Sequence, residues 1–503
     1  MKRCVSRVFL FICILTSLAA QSLQELEKKV SEFTLTNGLH FIVFERHQSP
    51  VVSFHTYVAA GAVNDPGGET GLAHMFEHMA FKGTETIGTK NFAEEKKALA
   101  EVERIYDKLT AERSKGFRMD PLKVRALEKE LRAAIEKANS FVKQNEYPRI
   151  FEENGAVGLN AMTGEDATQY MVSLPANRIE LWFLLESQRF LQPVFREFYK
   201  ERDVVREERR MRVESNPQGK LFEMLLATAF AAHPYRNMPG GWASDIENLR
   251  VGDAQKFFKK YYVPVNMAIG ISGDVNPQEI RRLAEKYFSL LPSSPAPEGV
   301  RTVEPNQDGP KQAIVEFSSQ PFVTIAYKRP DQLDKDDPVF DVLRGLLSSG
   351  RTGLLYKELV RDKKIALAAM ADAATPGTRF PGLFVLFLVP SLGHTVEENE
   401  AACYGILERL KREKVDAESL RRVKTKIRAS VTRSLDSNPG IAAQLTYFYM
   451  NYGDWRKMIT GLDDIDKVTA DDVQRVATKY FIEKNRTVVR LMTPQNQPLE
   501  AGK

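Results

Sequence analysis

DIENLRVGDAQKFFKKYYVPVNMAIGI (residues 245–271) and DIDKVTADDVQRVATKYFIEKNRTVVR (residues 464–490) align without a gap at an offset of 219. Asp253 pairs with Asp472, Gln255 with Gln474, Lys260-Tyr261 with Lys479-Tyr480 and Asn266 with Asn485. Each Asn stands just before an apolar run, 267–271 or 487–491. Both copies predict a helix, an aromatic pair, a short turn and a buried strand. A chain that carries this unit twice is a duplicated scaffold.

Two further anchors extend the repeat. Ser215-Asn216-Pro217 matches Ser437-Asn438-Pro439, each stopping a charged helix as proline demands. Pro50-Val51-Val52-Ser53-Phe54 resembles Pro321-Phe322-Val323-Thr324-Ile325 at an offset of 271. The offset falls by 52 between the anchors, so the first half carries an insertion of about that length. It falls at about 91–145, where Ala98, Val102, Ile105 and Leu109, then Val124, Leu127, Leu131, Ala134 and Ala138, draw narrow apolar seams on two charged helices. Joined by a turn at 115–121, these form an antiparallel helical hairpin. Such a hairpin is either a solvated structural arm or an arm that meets a partner or gates substrate.

The first half opens with a hairpin whose strands, 33–36 and 39–43, flank Asn37-Gly38; a strand over 51–60 and a loop at 65–68 lead into a helix. Pro292-Ser293-Ser294-Pro295-Ala296-Pro297 reads as a linker. The expected organisation is a signal at 1–20, a first domain at 21–291, a linker at 292–305 and a homologous second domain at 306–503. The fold class is α+β, each domain a largely antiparallel sheet packed with helices.

Lys2, Arg3 and Arg7 precede an apolar run at 8–20 that is too short to span a bilayer comfortably. It predicts a cleaved signal peptide, a periplasmic or secreted location and no integral membrane span after cleavage; a retained anchor is the alternative. The formal charge of +5 becomes +2 once the signal is removed, so overall charge implies neither nucleic acid nor an anionic membrane as partner. Cys4 and Cys13 lie in the signal, leaving Cys403 alone and no internal disulfide.

The chemistry lies in Gly71-Leu72-Ala73-His74-Met75-Phe76-Glu77-His78-Met79-Ala80-Phe81. Thr70 can cap this helix and Lys82-Gly83 can end it. Positions four apart share a helical face, so His74 and His78 can bind one ion. Glu77 stays on that face and can act on a water without being a ligand. Zinc needs a third protein ligand, and Glu201 and Glu208, two turns apart in Glu201-Arg202-Asp203-Val204-Val205-Arg206-Glu207-Glu208, supply the candidates. In the second half, Gly345, Ser348 and Ser349 face His74, Glu77 and His78, while Val423 and Ser430 face Glu201 and Glu208. One copy has the ligand set and the other has none. His40, His47 and His55 read as structural, and the spacing of His233 gives it no ligand role.

The chain resembles the insulinase, pitrilysin and mitochondrial processing peptidase family, of inverted H-x-x-E-H type. The resemblance runs over about 30–495 and rests on His74-x-x-Glu77-His78, Asn160-Ala161-x-Thr163, Glu201-Arg202-x-Val204-Val205-x-x-Glu208 and His233-Pro234-Tyr235. It implies that Glu208 is the third ligand of one Zn2+ per chain and that Glu201 is a supporting carboxylate. Between His78 and Glu208, 129 residues intervene; removing 52 leaves 77, which restores the family's spacing. The resemblance also implies a zinc-dependent endopeptidase that lays extended peptide along a sheet edge at Asn160 and Ala161. Family enzymes often place an Arg and a Tyr seven apart in the second half. Arg361 fits, but Ala368 stands at the Tyr position, which implies a homodimer or a heterodimer with a related subunit supplying that pair. The alternatives are a non-catalytic or partner-dependent assembly subunit of the same fold, and a binding module built on the hairpin.

Overall fold

Asn37-Gly38 turns the chain between β1 (Val30–Thr34) and β2 (His40–Glu45), with Gly38 at φ +95°. Residues 35 and 36 fall in the turn rather than in a strand, because the Leu35 N–H already bonds the Leu39 carbonyl at 2.9 Å. The computed structural model describes residues 25–494, so the signal expected at 1–20 lies outside the described residues. With β3 (Val51–Val58), β4 (Val157–Thr163), β5 (Thr168–Pro175) and β6 (Met267–Gly273), the first sheet runs β1-β2-β6-β3-β5-β4. The second comprises β7 (Lys311–Glu316), β8 (Phe322–Arg329), β9 (Ala366–Thr375), β10 (Gly382–Pro390) and β11 (Arg486–Met492), in the order β7-β11-β8-β10-β9.

Both sheets are antiparallel except at one place, and it is the same place: β2 with β6, and β7 with β11. β3 and β8 have the same length at an offset of 271, and β6 and β11 at an offset of 219. The duplicated pattern is therefore a duplicated topology, and the α+β reading holds.

Helix α1 (Leu72–Met79) follows β3. The hairpin is α2 (Phe92–Arg113) and α3 (Pro121–Asn139), joined through Ile105, Leu109, Val124 and Leu127. Its root is closed by the Lys90 N–H to the Phe141 carbonyl at 2.7 Å and the Lys143 N–H to the Gly88 carbonyl at 3.0 Å. Helix α4 (Phe198–Arg209) lies against α1, and α5 (Pro217–Ala229) follows. In the second half the corresponding helices are α6 (Asp337–Ser348), α7 (Ala417–Ser434) and α8 (Asn438–Tyr452). Ser-Asn-Pro does more than stop a helix: Asn216 accepts the Gln218 and Gly219 N–H groups and Ser437 accepts that of Gly440, so each motif starts the next helix.

The halves exchange those next helices. Helix α5 covers β7, β11 and β8 of the second sheet, and α8 covers β2, β6 and β3 of the first. Leu221, Leu225 and Leu226 thus share a core with Val315, Phe322 and Val489, while Ile441 and Leu445 bury Ile42 and Phe44. Each such side chain contributes about 1.5–3 kcal/mol by leaving water. Gly270 permits the approach of α8, since a Cβ there would lie 2.4 Å from the Ala442 carbonyl oxygen. No helix among the described residues is long and apolar enough to cross a membrane.

The exchange has a pH dependence. His55 on β3 is buried with its Nδ1 2.7 Å from Thr446 Oγ1 of α8, and burial lowers its pKa to about 4. Unfolded, it titrates near 6.5 and binds the proton the folded state refuses. Stability is therefore full above pH 6.5 and is lost as pH falls toward 4, by about 3 kcal/mol from this group. Urea unfolding at pH 7 and pH 4.5 checks this: His55→Gln, which cannot titrate, gives a flatter dependence than the parent chain.

Candidate metal centre

Rotation of α1 is set by its apolar side. Leu72, Ala73, Met75, Phe76 and Met79 are buried, and the Phe76 ring packs on Phe258 and Tyr262. His74, Glu77 and His78 then face the other way, only partly exposed. The helix start differs from the sequence expectation. Thr70 does not cap it but gives its hydroxyl to Asp245 at 2.7 Å, while Asp65 accepts the Gly71 and Ala73 N–H groups at 2.8 and 2.9 Å. Gly71 itself sits at φ +89°, which a side chain resists.

Across from α1, α4 buries Phe198, Tyr199 and Val205 and turns Glu201 and Glu208 toward the imidazoles. His78 Nε2 is 3.5 Å from Glu208 Oε2, and His74 Nε2 is 3.8 Å from Glu208 Oε1. One ligand atom from each of the three residues lies within 4.8 Å of the others. These gaps are long for hydrogen bonds but suit a shared ion: two ligands on a tetrahedral zinc at 2.0–2.2 Å lie about 3.3 Å apart. The donor set, two imidazoles and a carboxylate, fits zinc and leaves a fourth position free.

On its other side, His78 Nδ1 is 3.4 Å from Glu201 Oε2. A proton on Nδ1 bonded to that carboxylate leaves the Nε2 lone pair facing Glu208, the arrangement that orients metal-binding histidines. Lys82 Nζ holds the other oxygen of Glu201 at 2.5 Å and reaches Glu197 at 3.3 Å. Burial alone would raise Glu201, but the His78 and Lys82 hydrogen bonds outweigh it and bring it to about 2. Burial, with His78 and Arg212 nearby, lowers His74 to about 3, so its ring is neutral at physiological pH. Burial raises the Glu77 carboxyl above the ordinary carboxylate range, and hydrogen bonding to Thr163 only partly opposes it.

Sequence reading missed Lys82, Glu197 and Arg212, and quoted Thr163 in a motif without giving it a role. The first three stand four residues from a site residue, just beyond the helices: Lys82 after His78 past the end of α1, Glu197 before Glu201 at the start of α4, and Arg212 after Glu208 in the π turn that follows α4. Arg212 lies 2.8 Å from Glu208 Oε1. Thr163 comes from the end of β4.

Asn160 and Ala161 sit on β4, the last strand of its sheet, paired to Met171 and Tyr170 of β5 with the far edge open. Helix α1 packs against this strand. Beside Glu208 opens a cavity of about 720 Å³ lined in part by Ile135, Val204 and Met211. Arg361 is not brought into this group: it is exposed and pairs with its neighbour Asp362 at 2.6 Å. Ala368 lies on β9, the edge strand of the second sheet. His233 is also elsewhere, between Tyr235 and Phe380 at the seam of the halves. His40 stacks on Tyr449, and His47 pairs with Asp274 at 2.7 Å.

The second half closes the equivalent space. A Cβ on Gly345, which faces His74 in the repeat, would lie 2.4 Å from Val423, which faces Glu201. Helices α6 and α7 touch through a glycine and a buried valine where α1 and α4 hold charged groups apart.

Two family models match the chain, meeting near residue 240, within the first half. Residues 41–102 and 132–238 match the family model described as "Insulinase (Peptidase family M16)", and 248–427 that described as "Peptidase M16 inactive domain". "Zinc protease PqqE" of Helicobacter pylori is 27% identical over 95% of this chain and 96% of its own. "Probable mitochondrial-processing peptidase subunit beta, mitochondrial" of Arabidopsis thaliana is 22% identical over 92% of this chain and 78% of its own. The crystal structure of a protease from Helicobacter pylori superimposes with a TM-score of 0.77 at 25% identity, over 92% of this chain and 99% of that one. With matches to both halves, a shared fold along nearly its whole length and relatives named as proteases, the chain belongs to the M16 peptidase family.

Proposed function

We propose that the chain is a zinc-dependent endopeptidase that hydrolyses oligopeptides or unfolded polypeptide segments. The observation that carries this reading is the convergence of His74, His78 and Glu208 from two helices, with Glu77 on the same face beside an open sheet edge. His74, His78 and Glu208 hold the ion, which supplies Lewis acidity toward the scissile carbonyl and activation of a water. Glu201 acts on the site through His78, fixing its tautomer and ring angle.

The substrate lies extended along β4 and adds a strand, with Asn160 and Ala161 offering backbone groups. Water oxygen bonds to the carbonyl carbon, and Glu77 takes the proton that water gives up. The C–N bond then breaks as Glu77 passes that proton to the leaving amine. A carboxyl raised by burial suits this, since it takes up a proton more readily than an ordinary carboxylate and can return it. The names of its relatives support zinc and proteolysis.

A second reading, in which the chain works with a related subunit, is favoured by Ala368 and by the pairing of Arg361 with Asp362. Purified single chain that cleaves unfolded polypeptide at a rate unaltered by any related subunit sinks this second reading.

Two sets of variants test the first reading. Glu77→Gln loses about 10²- to 10⁴-fold in peptide cleavage while elemental analysis still finds one zinc; unaltered turnover excludes Glu77 as the proton carrier. Lys82→Met, which frees Glu201, weakens zinc retention about 10- to 100-fold in chelator competition. Lys82→Arg, which keeps the charge, loses far less, and equal affinities for the two variants remove Lys82 from the site.

A further inference from the structure

The chain's near-neutral overall charge hides one local concentration. Helix α2 has 22 residues, about 33 Å at 1.5 Å per residue, and its outer part packs with α3 in an apolar cluster separate from the main core. At the tip, Gly116 takes φ +58°, and Glu112 accepts Lys115 Nζ at 2.7 Å and the Asp120 N–H at 3.2 Å while pairing with Lys123 at 2.9 Å. Asp120 in turn caps α3 through the Leu122 N–H at 2.9 Å. This closed network fixes the turn, yet the turn presents Phe117 at 98% and Leu122 at 75% exposure. Across residues 112–125, Arg113, Lys115, Arg118, Lys123 and Arg125 stand against two carboxylates, Glu112 and Asp120, and Arg113 also pairs with Glu128 at 2.7 Å. Residues 103–131 fall outside the match to the insulinase family model, so this outer part is not what the matched region of the family requires.

We propose that the hairpin tip docks the protein on an anionic lipid surface. Phe117 and Leu122 enter the headgroup boundary while the surrounding cations meet lipid phosphates. Size decides for lipid over a protein partner. A stable protein interface takes about 800 Å² from each side, whereas two side chains on a narrow turn supply a fraction of that. A bilayer needs no matching pocket, only apolar groups beside positive charge.

Co-sedimentation of the full mature chain with vesicles of phosphatidylglycerol and phosphatidylethanolamine, or of phosphatidylcholine alone, tests this. The chain pellets with the anionic vesicles and not with phosphatidylcholine, and about 0.5 M salt releases most of it. The double variant F117S/L122S lowers the partition about tenfold, with the thermal midpoint and cleavage of a soluble peptide unchanged. The proposal is overturned if the parent chain stays in the supernatant with anionic vesicles, or if the double variant pellets equally well. It is also overturned if sedimentation velocity without lipid shows a dimer that the variant abolishes, which makes the tip a contact between copies.

Discussion

Arg196 is the fastener on which the site depends. It is fully buried, and its guanidinium donates to Glu95 of α2 at 2.8 Å and to the carbonyls of Lys82, Thr84 and Ile87. One side chain thus joins the end of the metal-site helix, the loop after it, the root of the hairpin and the approach to α4. A buried charge left without such partners costs several kcal/mol, so the surrounding backbone adopts the one path that satisfies it. That path brings α1 and α4 together with their polar stripes facing.

Duplication supplies the frame and asymmetry supplies the chemistry. Each sheet is completed by the other half's helix, so neither half closes its core alone. What differs is the gap between the first helix and the long charged helix of each half. In the second half it is filled by apolar contact between Gly345 and Val423. In the first half the same gap is polar, with His74 and His78 3.8 and 3.5 Å from Glu208. Refilling it with small apolar residues removes a site without disturbing the fold, because the contact between helices survives the exchange.

The strands, the repeat and the fold class were legible because they rest on periodicity and turn chemistry, which are local. The hairpin at Asn37-Gly38 and the matched lengths of β3 and β8 follow from apolar alternation and glycine placement. The stripe of His74, Glu77 and His78 was legible for the same reason. The capping of α1 was not. Thr70 is a good cap by type, yet Asp245, 175 residues away in sequence, claims its hydroxyl and Asp65 takes its place. Nor was the exchange of α5 and α8, since an amphipathic helix does not record which sheet it covers.

Charge balance explains why Lys82 and Arg212 sit where they do. Glu77, Glu201 and Glu208 converge in one partly buried pocket, and three adjacent carboxylates repel one another strongly in a low dielectric. Lys82 neutralises Glu201 from a position that cannot move far, being anchored also by Glu197. Arg212 pairs with Glu208 from the solvent side, where it is 75% exposed and free to swing away. Glu77 has no ion pair with Lys or Arg among the described residues; burial raises its carboxyl, and Glu208 adds to the rise. A divalent cation between Glu208 and the imidazoles can displace Arg212 at little cost, whereas displacing Lys82 would unseat His78. In the proposed site the pocket is therefore rigid where a ligand would be oriented and exchangeable where a cation would enter.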